Sequence, residues 1–316
     1  MLIGSLFELL KVIVEIFILV IFFDYIFGWL ERKTIAKVQL RHGPTYVGKF
    51  GLLQNLADIL KLLAKENIAP KNADKLILFS APPLLLALFI FLVYLLPYSN
   101  GLGLSISLGL LAVFVLLSFA PLLIFLAGAS SGNKFSAISA QRSVIMILSY
   151  EIPLMLSVAA IALCAGSFNI ATIVNEQANM PFIVLMPIGF LVFFVGMLAE
   201  LERPPFDLRE ADSELIAGWL VDVGSPYYAI ALFVDYTRMF LGSLLIALLF
   251  LGGWEGPYLQ QLAWLLIKTF FVAFVIVIIR ATTVRMRLDR LMEFGWFLLL
   301  PLSILNIIIT FLLIVK

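Results

Sequence analysis

Cysteine and histidine are almost absent from this chain, which contains one of each, Cys164 and His42, among 316 residues. A cubane iron–sulfur cluster usually needs four thiolates and a bis-histidine haem needs two imidazoles, so neither can be held within the chain. A tetrahedral zinc site and an internal disulfide bond are excluded in the same way. We therefore predict no metal site and no cofactor bound by this chain alone.

Charged residues are also scarce. They make up 13% of the chain, whereas 63% of the residues are hydrophobic and the mean hydropathy is +1.12. A soluble protein of this size does not expose so much apolar surface. The net charge of +1 offers no electrostatic basis for nucleic-acid binding. The composition predicts an all-α polytopic membrane protein that contacts lipid and binds no nucleic acid.

Eight apolar windows are each long enough to cross the hydrocarbon core of a bilayer, which takes about 20 residues of helix. They are residues 9–30, 76–97, 106–128, 143–166, 181–201, 228–251, 262–280 and 296–315. Backbone groups in lipid must be paired within the segment, so each window predicts a transmembrane helix. No linker rich in glycine, serine or proline divides the chain, and we predict a single membrane domain over residues 1–316.

Lysine and arginine are distributed unevenly between the two sets of loops. Nine lie in the first connection, from Arg32 to Lys75, and others follow the third, fifth and seventh windows. The loops near 98–105, 167–180 and 252–261 contain none. Because cytoplasmic loops are enriched in these residues, we predict that both termini lie outside and that the charged loops face the cytoplasm.

The first cytoplasmic loop carries an amphipathic pattern. In GLLQNLADILKLLAKENI, apolar residues recur at helical spacing at Leu52, Leu53, Leu56, Ile59, Leu60 and Leu63. This pattern predicts an amphipathic helix that lies along the membrane interface. A helix that packs its apolar stripe on the membrane domain and exposes a charged face fits the same pattern.

Charged residues also gather where the first window ends. The segment ERKTIAKVQLRHGP contains Glu31, Arg32, Lys33 and Arg41. Basic residues at a helix end commonly anchor it at anionic headgroups. The acidic Glu31 and the turn at Gly43–Pro44 favour a more specific role, and both interpretations stay open.

Carboxylates are concentrated directly after the fifth window, in AELERPPFDLREADSEL. Six of the chain's twenty fall within fifteen residues: Glu200, Glu202, Asp207, Glu210, Asp212 and Glu214. Acidic groups at the edge of a bilayer are costly to keep ionised and commonly handle protons or ions. Asp207 followed by Glu210 resembles a helix N-cap with an acidic third residue, which explains two of them. The i, i+3, i+7 spacing predicts that Asp207, Glu210 and Glu214 share a helical face and titrate as a coupled set.

Further carboxylates lie within the predicted helices. Glu151 stands about eight residues inside the fourth window, or about 12 Å from its edge. An unpaired charge there costs at least about 2.5 kcal/mol, so we expect a polar interior around it. A protonated glutamate bonded to the backbone near Pro153 is the alternative. Asp222 follows the acidic segment, and Asp235 is spaced i, i+3 from Arg238 in the sixth window.

Four blocks that occur in this order resemble the NuoH family, whose mitochondrial counterpart is NADH dehydrogenase subunit 1. They are ERKTIAKVQLRHGPTYVGKFGLLQNLADILKLLAKE, SAQRSVIMILSYEIP, AELERPPFDLREADSELIAG and RATTVRMRLDRLMEFGW. The resemblance implies an eight-helix subunit at the junction of the membrane and peripheral arms of complex I. It implies a quinone chamber at that interface, bordered by Glu31, Arg32, Lys33 and Arg41. The matching positions imply ion-coupling carboxylates at Glu151, Glu200, Asp207, Glu210, Asp212, Glu214, Asp222 and Asp235, to which we add Glu202.

The resemblance also implies which subunits this chain assembles with. Peripheral-arm redox subunits, iron–sulfur and hydrogenase-like, would lie on the cytoplasmic side and hold the iron–sulfur clusters. Small membrane subunits and antiporter-like subunits would be its neighbours in a prokaryotic cell membrane. The chain would be a non-redox subunit of an oxidoreductase and translocase of protons or sodium ions, without catalysis of its own.

The chain departs from the family pattern at four places. Leu201–Glu202 stands where the family has Thr–Asn, Asp222–Val223 and Asp235–Tyr236 stand where it has Glu–Tyr, and Phe297 replaces a lysine. These departures leave open a quinone-free relative, either a membrane-bound hydrogenase or a ferredoxin-dependent sulfur-reducing complex. A stand-alone ion transporter that uses the carboxylates as its ion site is an alternative from another class.

Overall fold

The computed structural model describes residues 2–99, 106–209 and 212–315, and the side chains of residues 17–99, 106–209 and 214–314 within them. The described part is helical and contains no β-strand, as the composition predicts. Its helices are α1 (Leu2–Val38), α2 (Gln54–Leu63), α3 (Lys75–Leu95), α4 (Gly109–Leu117), α5 (Phe119–Ser130), α6 (Lys134–Ala165), α7 (Ile170–Glu176), α8 (Phe182–Leu185), α9 (Pro187–Glu200), α10 (Asp212–Leu215), α11 (Ser225–Phe250), α12 (Gln261–Thr282), α13 (Leu288–Phe294) and α14 (Leu300–Val315).

Six helical segments of the described chain are long and apolar enough to cross a membrane. They are Lys75–Leu95, Gly109–Ser130, Lys134–Ala165, Ser225–Phe250, Gln261–Thr282 and Leu288–Ile314. These segments confirm the helical prediction for six of the eight windows. The first window falls on α1, and the fifth falls on α8 and the 14-residue α9, which meet at Met186. The count of eight spans and the orientation of the termini stay predictions.

Local signals explain where several helices begin and end. The side chain of Asp74 accepts a hydrogen bond from Leu76 N at 3.3 Å, and that of Asn133 accepts one from Phe135 N at 3.1 Å. Each thereby caps a helix start, at α3 and α6. Helix α6 ends at Gly166, whose φ of 62° is the left-handed conformation that glycine adopts without steric cost.

Helix α11 lies at the centre of the described fold. It packs against α1, α3 and α12, while α6 packs against α5, α9 and α14. In α11, 78% of the most apolar window is buried, more than in any other candidate span. Aromatic rings fill the contact with α1, where Phe23 stacks on Phe240 with ring centroids 4.4 Å apart. The polar residues of α11 therefore face other helices.

Helix α2 confirms that the first loop is helical, and it exposes the apolar stripe. Leu56, Leu60 and Leu63 are 49%, 58% and 54% exposed. Its opposite side contacts α1, where a Cβ on Gly28 would lie 2.5 Å from Asn55 Nδ2. Glycine at position 28 thus permits the close approach of the two helices. Because α2 also packs against α1 and α11, and Leu56 and Ile59 line a cavity between these helices, both interpretations of the stripe stay open.

The acidic segment does not form the predicted helix after Asp207. Residues 207–209 have irregular backbone, and α10 begins only at Asp212. The predicted N-cap and the helical face shared by Asp207 and Glu214 are therefore wrong. Long-range contacts outweigh the local spacing, because Ser139 Oγ donates to the backbone carbonyl of Arg209 at 2.7 Å. Glu210 and the side chain of Asp212 lie outside the described residues.

Candidate functional site

Glu31, at the inner side of the end of α1, is shared by two arginines. Arg203 Nη1 lies 2.5 Å from Glu31 Oε1, and Arg280 Nη1, from the end of α12, contacts the same oxygen. The side chain of Glu31 is 3% exposed, and those of Arg203 and Arg280 are 10% and 33% exposed. Two guanidinium groups therefore share one carboxylate in a site largely shielded from solvent.

A second cluster surrounds Glu202, which has a positive φ of 51°. Its carboxylate forms an ion pair with Arg209 and lies 3.4 Å from Arg238 Nη2. Arg209 also approaches Asp235 Oδ1 at 3.7 Å. The side chains of Glu202, Arg209 and Arg238 are each at most 4% exposed. The unusual backbone conformation thus accompanies a carboxylate turned inward onto two buried cations.

A polar cavity of about 220 Å³ joins these two clusters. Its lining includes residues of both, namely Leu201, Glu202, Arg203, Pro204, Asp207, Arg209, Tyr228, Leu232, Asp235, Tyr236 and Arg280. Ionisable groups that share so small a volume affect one another's protonation. The predicted residues Glu202, Asp207 and Asp235 therefore line one space, and the predicted Glu31 contacts two arginines of its wall.

Glu200, at the end of α9, and Glu151 of α6 do not line this cavity and have partners of their own. Tyr150 donates its hydroxyl hydrogen to Glu200 Oε2 at 2.8 Å, and Arg238 donates to the backbone carbonyl of Glu200. Glu151 accepts a hydrogen bond from Ser118, at the junction of α4 and α5. Arg238 therefore links the Glu202 cluster to the Glu200–Tyr150 pair. Tyr150 thus contacts the end of α9, whereas its neighbour Glu151 contacts the junction of α4 and α5.

Glu214 forms a separate, exposed contact. Its carboxylate lies 2.6 Å from Arg142 Nη1 and 2.9 Å from Arg285 Nη2. The hydrogen bond from Arg142, with the nearby charge of Arg285, holds the pKa of Glu214 below its usual range. Glu214 thus ties α10 to α6 and to the segment after α12, and it lies outside the two buried clusters.

We expect the substitution Glu214→Gln to loosen α10 at neutral pH. A carboxyl group whose pKa is lower in the folded chain stabilises it above the unfolded pKa, and this contribution disappears as pH falls through the folded value. Backbone amide exchange at residues 214–218 should become about two- to fivefold faster at pH 7, and variant and wild type should converge in acid. Asp289→Asn, at an exposed ion pair with Arg287, is the control. Equal exchange at pH 7 would contradict a role for this contact.

An apolar cavity of about 190 Å³ lies between α1, α2 and α11. Its lining is Ile21, Asp24, Tyr25, Arg32, Asn55, Leu56, Asp58, Ile59, Ala229, Leu232, Phe233 and Tyr236. Arg32 Nη1 and Asp58 Oδ2, 2.5 Å apart, form an ion pair in its wall. Leu232 and Tyr236 line both this cavity and the polar cavity, so the two share a wall.

The remaining predicted residues are more dispersed. Arg41 is exposed and lines a surface cavity of about 620 Å³, which shares Arg32 with the apolar cavity. Lys33 is half-buried on α1 beside Gly43. Asp222 is half-buried ahead of α11. Of the four predicted chamber residues, Arg32 lines the apolar cavity. Glu31 contacts Arg203 and Arg280, which line the polar cavity.

Sequence reasoning missed three partners in this region: Asp24, Ser118 and Tyr150. Asp24 carried a signal, since it is a charge within the apolar window 9–30. Ser118 and Tyr150 carried none, because hydroxyl groups are ordinary in membrane helices. No group of three metal-ligating side chains is found in the part of the chain that the structure describes.

Comparison with known proteins identifies the family. The profile of the family described as NADH dehydrogenase matches residues 10–311. The H subunit of NADH-quinone oxidoreductase from Dehalococcoides mccartyi is 40% identical over 304 residues, covering 96% of this chain and 86% of that protein. The H subunit of F(420)H(2) dehydrogenase from Methanosarcina acetivorans is 36% identical over 299 residues, covering 89% of this chain and 86% of that protein. The match spans both arginine clusters and the apolar and polar cavities, and the chain belongs to the NADH dehydrogenase (NuoH) family.

Proposed function

We propose that this chain is the junction subunit of a complex I-like, redox-driven ion pump, a non-redox part of an oxidoreductase. The observation that carries this proposal is the shared wall of the apolar and polar cavities at Leu232 and Tyr236. An apolar ligand on one side of that wall would lie next to ionisable groups on the other. Electron transfer to the ligand changes its charge, and the carboxylates can respond by changing their protonation.

The ligand class that fits the apolar cavity is a quinone or a quinone-like molecule. The relative from Dehalococcoides mccartyi is named as part of a NADH-quinone oxidoreductase. The aliphatic and aromatic lining of the cavity suits an apolar chain and ring, and the Arg32–Asp58 pair supplies a polar contact. The quinone-free alternative, a hydrogenase or a sulfur-reducing complex, has no such use for this cavity, and we favour the quinone.

The contacts among the carboxylates and arginines support a path for the coupling. Asp235 lines the polar cavity, Glu202 lies between two arginines, and Arg238 connects Glu202 with Glu200. We propose that a change of charge at the cavity is passed from Glu202 to Glu200 and Tyr150, and then towards Glu151. Antiporter-like membrane subunits would receive it. The moving ion is a proton or sodium.

We expect partner subunits on the cytoplasmic side of a prokaryotic cell membrane. In this proposal residues 1–316 form one domain with eight spans, and both termini lie on the opposite side of the membrane, outside the cell. The exposed leucines of α2 and the exposed loop with Leu40, Tyr46 and Phe50, which are 96%, 98% and 76% exposed, offer apolar docking surface. A stand-alone transporter has no need of such a surface. Redox subunits with iron–sulfur clusters fit it, together with small membrane subunits.

Gentle solubilisation tests this proposal. The chain should copurify with iron–sulfur redox subunits and bound quinone, and the reconstituted complex should couple reduction of duroquinone to ion uptake. The electron donors to compare are NADH, reduced F420 and reduced ferredoxin. A nickel–iron subunit without quinone would instead support the hydrogenase alternative. Ion transport by the isolated chain, without redox subunits, would overturn the proposal.

A further inference from the structure

Asp24 is a buried carboxyl group outside the two arginine clusters. It lies within α1, is 2% exposed and lines the apolar cavity. Its Oδ2 is 2.7 Å from Thr237 Oγ1 of α11, whereas Oδ1 has no hydrogen-bond partner among the described atoms. Among the described residues, its carboxyl forms a hydrogen bond with Thr237 and no salt bridge. Asp24 therefore differs from Glu31 and Glu202, which arginines neutralise.

The Thr237 hydroxyl determines which hydrogen bonds Asp24 can make. Its oxygen lies 2.9 Å from the Phe233 carbonyl and 2.7 Å from Asp24 Oδ2, but it has one hydrogen to donate. Thr237 therefore donates its one hydrogen to Asp24 Oδ2, shared with the Phe233 carbonyl, and has none left for Oδ1. Oδ1 then remains an acceptor without a donor, which is unfavourable in a buried position.

Three other polar side chains of the cavity wall are engaged with partners in the protein. The Tyr25 hydroxyl donates to the Leu52 carbonyl, Arg32 donates to Asp58, and Asn55 Nδ2 donates to the Tyr25 carbonyl at 3.0 Å. The described lining thus contains a buried acceptor, Asp24 Oδ1, that has no donor. Such a lining favours a ligand that brings its own hydrogen.

We propose that Asp24 Oδ1 accepts a hydrogen bond from the ring hydroxyl of a hydroquinone-type ligand in the apolar cavity. The inference rests on the proposed function, since it takes the quinone as the class of molecule that enters. A hydroquinone hydroxyl supplies the hydrogen that Oδ1 lacks. The carbonyl of the oxidised ring has none and would face Oδ1 oxygen to oxygen. Asp24 therefore makes the cavity selective for the reduced form.

Competitive photolabelling of the complete purified complex tests this selectivity. An azido-benzoquinone labels the protein under argon, without an electron donor, and duroquinol and duroquinone compete with it. In the wild type, duroquinol should displace the label at about tenfold lower concentration than duroquinone, as expected for one hydrogen bond to a buried acceptor.

The variants separate ligand contact from a structural role. Asp24→Leu removes the acceptor, so the ratio of the two displacing concentrations should fall to about one. The change should come from duroquinol, which should need about tenfold more to displace the label than in the wild type. Asp24→Asn adds an amide donor for the carbonyl form, so its ratio should also approach one, and it serves if the leucine variant does not assemble. Ser243→Ala removes a buried hydroxyl from the same helix as Thr237 and should keep the wild-type ratio.

A wild-type ratio near one, or a tenfold ratio retained in the assembled Asp24 variants, would overturn the inference. These outcomes are distinct from failure of the proposed function. If the complex shows the Asp24-dependent ratio but does not couple duroquinone reduction to ion uptake, only the proposed function is contradicted. If the complex pumps ions with duroquinone but shows no Asp24-dependent ratio, only the inference about Asp24 is contradicted.

Discussion

Replacing Glu200 by glutamine should reduce coupled ion uptake by about 100-fold, while electron transfer from the donor to an artificial acceptor in the peripheral subunits continues. Glutamine retains the volume and can still accept the hydrogen bond from Tyr150, but it cannot take up and release a proton. Glu200 is 6% exposed, and it lies between Arg238 of the Glu202 cluster and Tyr150. In the proposed path, a proton passes from the Glu202 cluster to Glu151 through the carboxyl group of Glu200. Ion uptake and electron transfer are measured on the same proteoliposomes.

Two further variants make this test specific. Tyr150→Phe removes the hydroxyl that donates to Glu200 and should lower the uptake less than Glu200→Gln does, because the carboxyl remains. Glu176→Gln alters an exposed carboxylate at the end of α7 and should leave uptake unchanged. Full ion uptake by an assembled Glu200→Gln complex would remove Glu200 from the coupling path.

Replacing Glu31 by leucine should destabilise the assembled protein by about 3 kcal/mol, because it leaves the Arg203 and Arg280 guanidinium groups without their shared carboxylate. Removing one partner of a buried ion pair typically costs about 3–5 kcal/mol, and the partial exposure of Arg280 favours the lower end. Thermal unfolding in detergent, followed by the loss of the monodisperse chromatographic peak, measures the change.

A charge-balanced variant distinguishes ion pairing from packing. The double variant Glu31→Leu and Arg280→Leu removes one charge of each sign and should recover part of the lost stability. Glu66→Gln, at an exposed glutamate after α2, is the matched control with no expected effect. Unchanged thermal stability in Glu31→Leu would show that the two arginines are solvated in the absence of Glu31.

The sequence predicted the position of much of the candidate site along the chain but few of its contacts. Glu31, Glu200 and Glu202 were predicted because carboxylates are rare in so apolar a sequence. Their partners were not, since Arg203 and Glu31 are 172 residues apart and Thr237 and Asp24 are 213 residues apart. Spacing along one helix carries no information about which helices meet.

By itself, the sequence determined that the protein is helical and apolar enough for a membrane, where four of the six candidate spans begin and end to within a few residues, and which family it belongs to. These features depend on local composition, periodicity and motif order. The tertiary structure alone decided that Glu31 and Glu202 each contact two arginines, that α2 exposes its leucines, and that the chain after Asp207 is not helical. The physical reason is that a buried charge takes its partner from whichever helix lies nearest, and that choice outweighs the preferences of its own segment.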